Sequence, residues 1–230
     1  MTARAPRSIA FLLAAALCLP FAAHAAEVVV VGTTHLATLQ PVPDATQRER
    51  VLRRLAAYAP TRVCIEAIPG QRIESFLAEP GHHGQLLSIF GLPAVRMGAE
   101  QQARLGLAGR AARAEADRLA AAPALDPAQQ VRLVSLQLAG YEPWSAALNW
   151  SRLDSAQREE AKARLGRVAV AELDALLASD NEIVTLALPL ARSLGQRALC
   201  AVDPFIDELA VAGLAEGLGP VLEDPAVARG

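Results

Sequence analysis

The chain has 230 residues, a formal charge of −2, 53% hydrophobic residues and 4% aromatic residues. So mildly acidic and aromatic-poor a chain offers no electrostatic footprint for nucleic acid, and a nucleic-acid partner is excluded from the reading. The length suits one sizeable core, or one core with an appendage.

Taken in chain order, the first segment reads as a leader and not as part of the fold. Arg4 and Arg7 form a basic start, and an apolar run from Ile9 to Ala23 follows, interrupted by Pro20. Ala23-His24-Ala25 matches the small-x-small cleavage pattern, so residues 1–25 are expected to be a signal peptide and the mature chain to begin at Ala26 or Glu27. Loss of two arginines and no acid takes the formal charge from −2 to −4. A lipid anchor at Cys18 is rejected, because Leu17 stands where a small residue is needed. No later stretch is apolar for long enough to span a bilayer. The expected protein is exported, periplasmic or secreted, with no stable membrane anchor.

Val28–Val31 are four β-branched residues in a row, as in a strand buried on both faces, and Gly32-Thr33-Thr34-His35 follow. His35 is therefore expected in the loop at the carboxyl end of a central strand. Leu36 to Pro43 reads as a loop. Asp44 and Gln47 have capping-box spacing and open a helix with Val51, Leu52, Leu55 and Ala59 on its apolar side, which Pro60 stops. Thr61 to Glu66 reads as a second strand that ends in a carboxylate. Strand, helix and strand within about 40 residues predict a βαβ unit.

Beyond Glu66 the pattern turns helical. Gly70 to Ala78 is a short helix, and Glu79 to Gly84 is a loop holding His82 and His83. Glu100 to Ala121 is rich in helix formers. Asp126 caps the next helix, with Val131, Val134 and Leu138 on its apolar face. Ser155 to Leu177 is helical, with Gly166 inside it. Ser179 and Glu182 have the spacing of a further capping box, ahead of a helix bearing Ile183, Leu186, Leu190 and Leu194. Pro189 should kink that helix, and Gly195 fits the position just past its end. Arg197 to Asp203 reads as a third strand, and a last helix is expected over Pro204 to Ala215. Trp144 and Trp150 are expected as core anchors of the helical region. The expected fold is thus α/β. A small, mostly parallel sheet is flanked by helices in one domain, residues 26–230, with a large helical insertion over about 70–178.

Cys64 and Cys200 each fall inside a strand-like apolar run. An exported protein permits a disulfide. Neighbouring strands rarely bring two cysteines to bridging geometry, so two buried free thiols are the favoured reading.

Three ionisable residues end the expected strands: His35, Glu66 and Asp203. One imidazole and two carboxylates can hold a divalent metal ion. Alternatively, His35 and Glu66 can act as a general acid–base pair. The bland reading is that His35 is a hydrogen-bonded turn residue and that Asp203, just before Pro204, caps the following helix. Glu182 is assigned to its capping box, and His82 and His83 to an exposed loop.

GTTH after a valine run, APTRVCIE, and SDNEIVTLALPLARSLGQRALCAVD together resemble a family of exported bacterial proteins related to the TraB/GumN group. More remote kinship runs to the Tiki proteases, the erythromycin-esterase-like proteins and the ChaN-like proteins. The resemblance covers roughly Val28 to Pro69, parts of Leu133 to Trp150, and Ser179 to Asp203. It implies hydrolysis of a peptide or ester bond, metal-dependent or run by a His/Glu pair, with His35 and Glu66 as the active-site residues. A small-molecule or peptide substrate follows. The ChaN-like kinship implies the rival reading, a non-catalytic binder of a small ligand such as haem. The superfamily usually carries a second histidine motif near its carboxyl end, whereas no histidine follows Asp203 here, so a chain shortened relative to its kin is expected.

Overall fold

The computed structural model describes residues 27–33, 35–39, 43–79, 81, 87 and 91–203. The expected signal peptide, His82, His83 and the helix expected from Pro204 lie outside the described residues. The chain divides after Thr33 into two units. In the first, the described residues 27–33 carry no regular secondary structure, and Val28 and Val30 are 78% and 87% exposed.

The second unit is built of helices. Among its described residues they are α1 (Ala45–Ala56), α2 (Gly70–Ala78), α3 (Leu92–Leu105), α4 (Gly109–Ala120), α5 (Pro127–Ala139), α6 (Pro143–Trp150), α7 (Ser155–Leu165), α8 (Arg167–Leu177) and α9 (Leu188–Ser193). Two strands of two residues each, β1 (Cys64–Ile65) and β2 (Cys200–Ala201), make a parallel pair.

This overturns the expected α/β architecture of a sheet flanked by helices with a large insertion. Val28–Val31 form no strand, and β1 takes β2 as its partner. The physical reason lies in where the apolar surface goes. Alanine- and leucine-rich segments favour helix, and the central helices bury their apolar stripes against one another, while α1 packs only part-buried residues.

Local signals act as the residue chemistry dictates. Asp44 and Gln47 form a reciprocal capping box at α1, and Asp126 and Gln129 do so at α5. Asp154 and Gln157 form a third box at α7. The helix expected over Glu100–Ala121 is two helices, separated at Gly106, whose φ is 64°. The one expected over Ser155–Leu177 breaks at Gly166, with φ 86°. Both angles lie where a side chain is strained, so glycine ends the helix there.

Ahead of Pro189 the helix widens and does not simply kink. Residues Ile183–Ala187 form a π turn, with the Leu188 N–H donating to Ile183 O. Proline has no N–H to continue the regular ladder, and the wider turn accommodates it. After α9, Gly195 N–H donates to Arg192 O and Gln196 N–H to Ala191 O, the paired bonds of a Schellman ending.

At the centre of the core, α5 packs against α3, α4 and α6 and presents buried residues on every side, including Leu133, Val134, Leu136 and Leu138. Trp150 is 1% exposed and anchors a cluster with Val134, Leu153, Leu165 and Leu173, while Trp144 is half-buried in the neighbouring cluster. Trp150 is thus a core anchor of the helical region, whereas Trp144 packs part-buried on the cluster around β1. The Tyr141 ring sits over Gly98 and Gly109, where an added Cβ would lie 2.4 and 3.1 Å from ring carbons. That fit holds Tyr141 at a left-handed φ of 62°.

The stretch feeding β2 is held by buried amides. Asn149 Nδ2 donates to Arg197 O at 2.7 Å and Gln137 Nε2 to the same oxygen at 2.8 Å. The Gln196 side chain imitates a strand: it accepts from Val63 N–H at 2.9 Å and donates to Pro60 O at 2.8 Å. These bonds satisfy backbone groups that the short ladder leaves open.

Candidate functional site

His35 lies on the short turn that opens the second unit. A 3₁₀ turn over Leu36–Thr38 follows it, and Thr38 Oγ1 donates to His35 O at 2.7 Å. Its ring approaches a carboxylate from far along the chain: Nδ1 is 3.3 Å from Glu182 Oε1. The other oxygen, Oε2, accepts from the Leu36 N–H at 3.2 Å. One carboxylate thus binds both the ring and the backbone beside it.

Glu182 is the residue that sequence reasoning assigned to a cap. The cap is Asn181 instead, whose Oδ1 accepts from the Val184 N–H at 2.9 Å, with Ser179 Oγ accepting from Asn181 N–H. Ser179, Asp180 and Asn181 can all cap, and Asn181 is the one placed three residues before the Val184 N–H that it caps. Glu182 is thereby released to reach the His35 turn. It immediately precedes the π turn, a local geometry that recurs at functional sites.

Partial burial raises the Glu182 carboxyl, but hydrogen bonds from the backbone, from His35 and from the Leu36 N–H outweigh it and hold it below the ordinary glutamate range. At neutral pH Glu182 is therefore an acceptor only. The hydrogen bond to His35 then requires the proton on Nδ1, which leaves Nε2 of the neutral ring with its lone pair free. The His35 side chain is 74% exposed, so that lone pair is accessible.

Glu66 follows β1, and Asp203 lies two residues past β2. The ladder runs on beyond both strands, with Val202 N–H donating to Ile65 O at 3.0 Å and Asp203 N–H to Ala67 O at 3.1 Å. Glu66 and Asp203 therefore leave the same end of the strand pair. No hydrogen bond or ion pair joins His35 to Glu66 among the described residues. The π turn that carries Glu182 onward packs against β1, and Ile183, Val63 and Ile65 share one apolar cluster.

Among the described residues no three His, Cys, Asp or Glu side chains gather as a metal-holding group. The arrangement suits proton transfer at Nε2 with a fixed anion behind Nδ1, the relation of a base to its orienting carboxylate. A separate shallow cavity of about 570 Å³ on the helical side is lined by Arg104, Arg132 and Arg164, and none of His35, Glu66, Glu182 or Asp203 lines it. Each of those guanidinium groups is already paired, with Glu100, Glu115 and Glu160 respectively.

Comparison with protein-family models, with curated proteins and with solved structures finds no match to this chain. No helix among the described residues is long and apolar enough to cross a membrane.

Proposed function

We propose that this protein is an exported, TraB/GumN-like hydrolase of a peptide or ester bond, in which His35 is the general base and Glu182 positions it. The observation that carries the reading is the Glu182 carboxylate 3.3 Å from Nδ1 of an exposed His35 ring, from which we infer the tautomer with its proton on Nδ1 and Nε2 open. In the proposed step Nε2 accepts a proton from water as the water oxygen attacks the carbonyl carbon. The imidazolium so formed is stabilised by Glu182 and returns the proton to the leaving group. Glu66 remains a proposed member of the site on the sequence resemblance, supported by the packing of β1 against the segment that follows Glu182.

The test uses protein recovered from the exported fraction, with its mature start at Ala26 or Glu27 read by mass spectrometry. Turnover of nitrophenyl esters and fluorogenic peptides is compared between the parent and His35→Ala. The expected result is a loss of about 100-fold or more in kcat/KM. The melting temperature should be unchanged, because the side chain removed is 74% exposed. Turnover that survives His35→Ala, or no turnover of any ester or peptide, would overturn the proposal. The rival reading, a small-ligand binder, rests on the same open Nε2, which would hold the iron of a bound haem. It predicts a His35-dependent change in haem absorbance without turnover.

A further inference from the structure

Cys64 and Cys200 are direct register partners across the parallel pair. Adjacent strands run about 4.7–4.9 Å apart, inside the window of Cα separations that a disulfide bridges, about 4.4–6.8 Å. Partners in register project from the same face of the pair. Partial burial, with the neighbouring Cys200 thiol adding to it, pushes the Cys64 thiol up to about 11, so exchange draws on a small thiolate fraction. Both are free thiols here, and both are accessible: Cys64 is exposed and Cys200 half-exposed, contrary to the expectation of two buried thiols. Among the described residues neither belongs to an apolar cluster.

We infer that Cys64 and Cys200 form an intramolecular disulfide across β1 and β2 by exchange with a disulfide of another molecule, and that the dithiol described here is the reduced form of that pair. The balance is that of ordinary exchange. The thiolate of one cysteine attacks the external disulfide, forms a mixed disulfide with one of its sulfurs and releases the other half as a thiolate. The second cysteine, deprotonated, attacks the protein sulfur of the mixed disulfide, forms the Sγ–Sγ bond and releases the remaining half. Two cysteine thiols are oxidised and one external disulfide is reduced to two thiols, which take up the two protons. The bridge closes a loop of more than about 100 residues, where a cross-link constrains the unfolded chain strongly. It also ties together the two strands whose ends carry Glu66 and Asp203. This inference stands apart from the hydrolase reading, because it needs neither His35 nor Glu182.

The experiment titrates the full chain, carrying Cys18→Ser so that only the two cysteines remain, with oxidised glutathione. Intact mass and peptide mapping follow the product. The expected product has lost two hydrogens, has no titratable thiol, and yields one linked peptide containing Cys64 and Cys200. Its melting temperature should rise by about 5 °C or more over the reduced form. Cys64→Ser and Cys200→Ser should each stop at a stable mixed disulfide bearing one glutathionyl group. A parent protein that accumulates the mixed disulfide, links two chains together, or keeps both thiols under excess oxidised glutathione would overturn the inference. The parent's own products decide the matter even where a serine variant does not fold.

Discussion

Trp150→Ala is expected to lower stability by about 3–5 kcal/mol, the range for truncating a fully buried aromatic side chain. Trp150 is 1% exposed and packs against residues of four different helices and the turn at Leu153. Its Nε1 donates to Asp174 Oδ1 at 2.9 Å, which fastens α6 to α8. The Arg158 guanidinium lies 5.3 Å from the ring centroid and adds a cation–π contact from α7. The truncation removes all three interactions and leaves a cavity where α5, α6, α7 and α8 meet. Half-buried Trp144 is the internal control, since it shares the smaller cluster around β1 and α9. Thermal melts should show a drop of about 10 °C for Trp150→Ala and a smaller one for Trp144→Ala. Equal drops would remove Trp150 from the centre of the account.

Glu142→Gln is expected to stabilise the protein at pH 8 and to leave it unchanged near pH 4. Glu142 follows the left-handed Tyr141, and the fit of the Tyr141 ring over Gly98 and Gly109 fixes the backbone there. Burial first and the nearby Asp117 second push its carboxyl up to about 7, with Arg113 offsetting part of the rise. Arg113 is itself engaged with Glu74 and with Gly140 O, so it neutralises Glu142 only in part. A raised carboxyl means that the native state keeps a proton that the unfolded chain gives up. Stability from this group is therefore full below about pH 4.5 and falls as the pH rises through 7, by about 2–3 kcal/mol. Glutamine removes the charge, so the variant should lack this decline. Melts of parent and variant at pH 4, 6 and 8 measure it. A constant difference across the three would show that Glu142 does not titrate as described.

The local code of this chain was readable in particular residues. Asp44 with Gln47, and Asp126 at the head of α5, announce their helices by chemistry that acts over three residues. Gly70–Ala78 forms α2 with the bounds that its composition predicts, and Gly195 ends α9. The strand-like runs around Cys64 and Cys200 do pair in parallel, but each strand is two residues long. What failed was the step from run to sheet. Val28–Val31 have the composition of a buried strand, yet a strand exists only if a neighbour offers its backbone. Composition does not reveal whether such a neighbour exists. The contact that His35 makes is no more legible in the sequence. His35 was found from its place after an apolar run, but its partner lies 147 residues away. Glu182 sits beside Ser179, Asp180 and Asn181, any of which can cap a helix. Only the three-dimensional outcome, Asn181 capping, frees Glu182 for His35. No local signal carries that information.

The most direct test of the account is a double-mutant cycle between His35 and Glu182, read in kcat/KM for the best substrate found. Glu182→Gln keeps the shape and its acceptor for the Leu36 N–H but removes the anion. If Glu182 acts through His35, the substitution should lower kcat by about 10- to 100-fold with KM unchanged, and the melt should stay close to that of the parent. In the His35→Ala background the same substitution should cost nothing more, because the group it positions is gone. Losses that multiply in the double variant, or a Glu182→Gln protein as fast as the parent, would contradict the pairing of these two residues as one site.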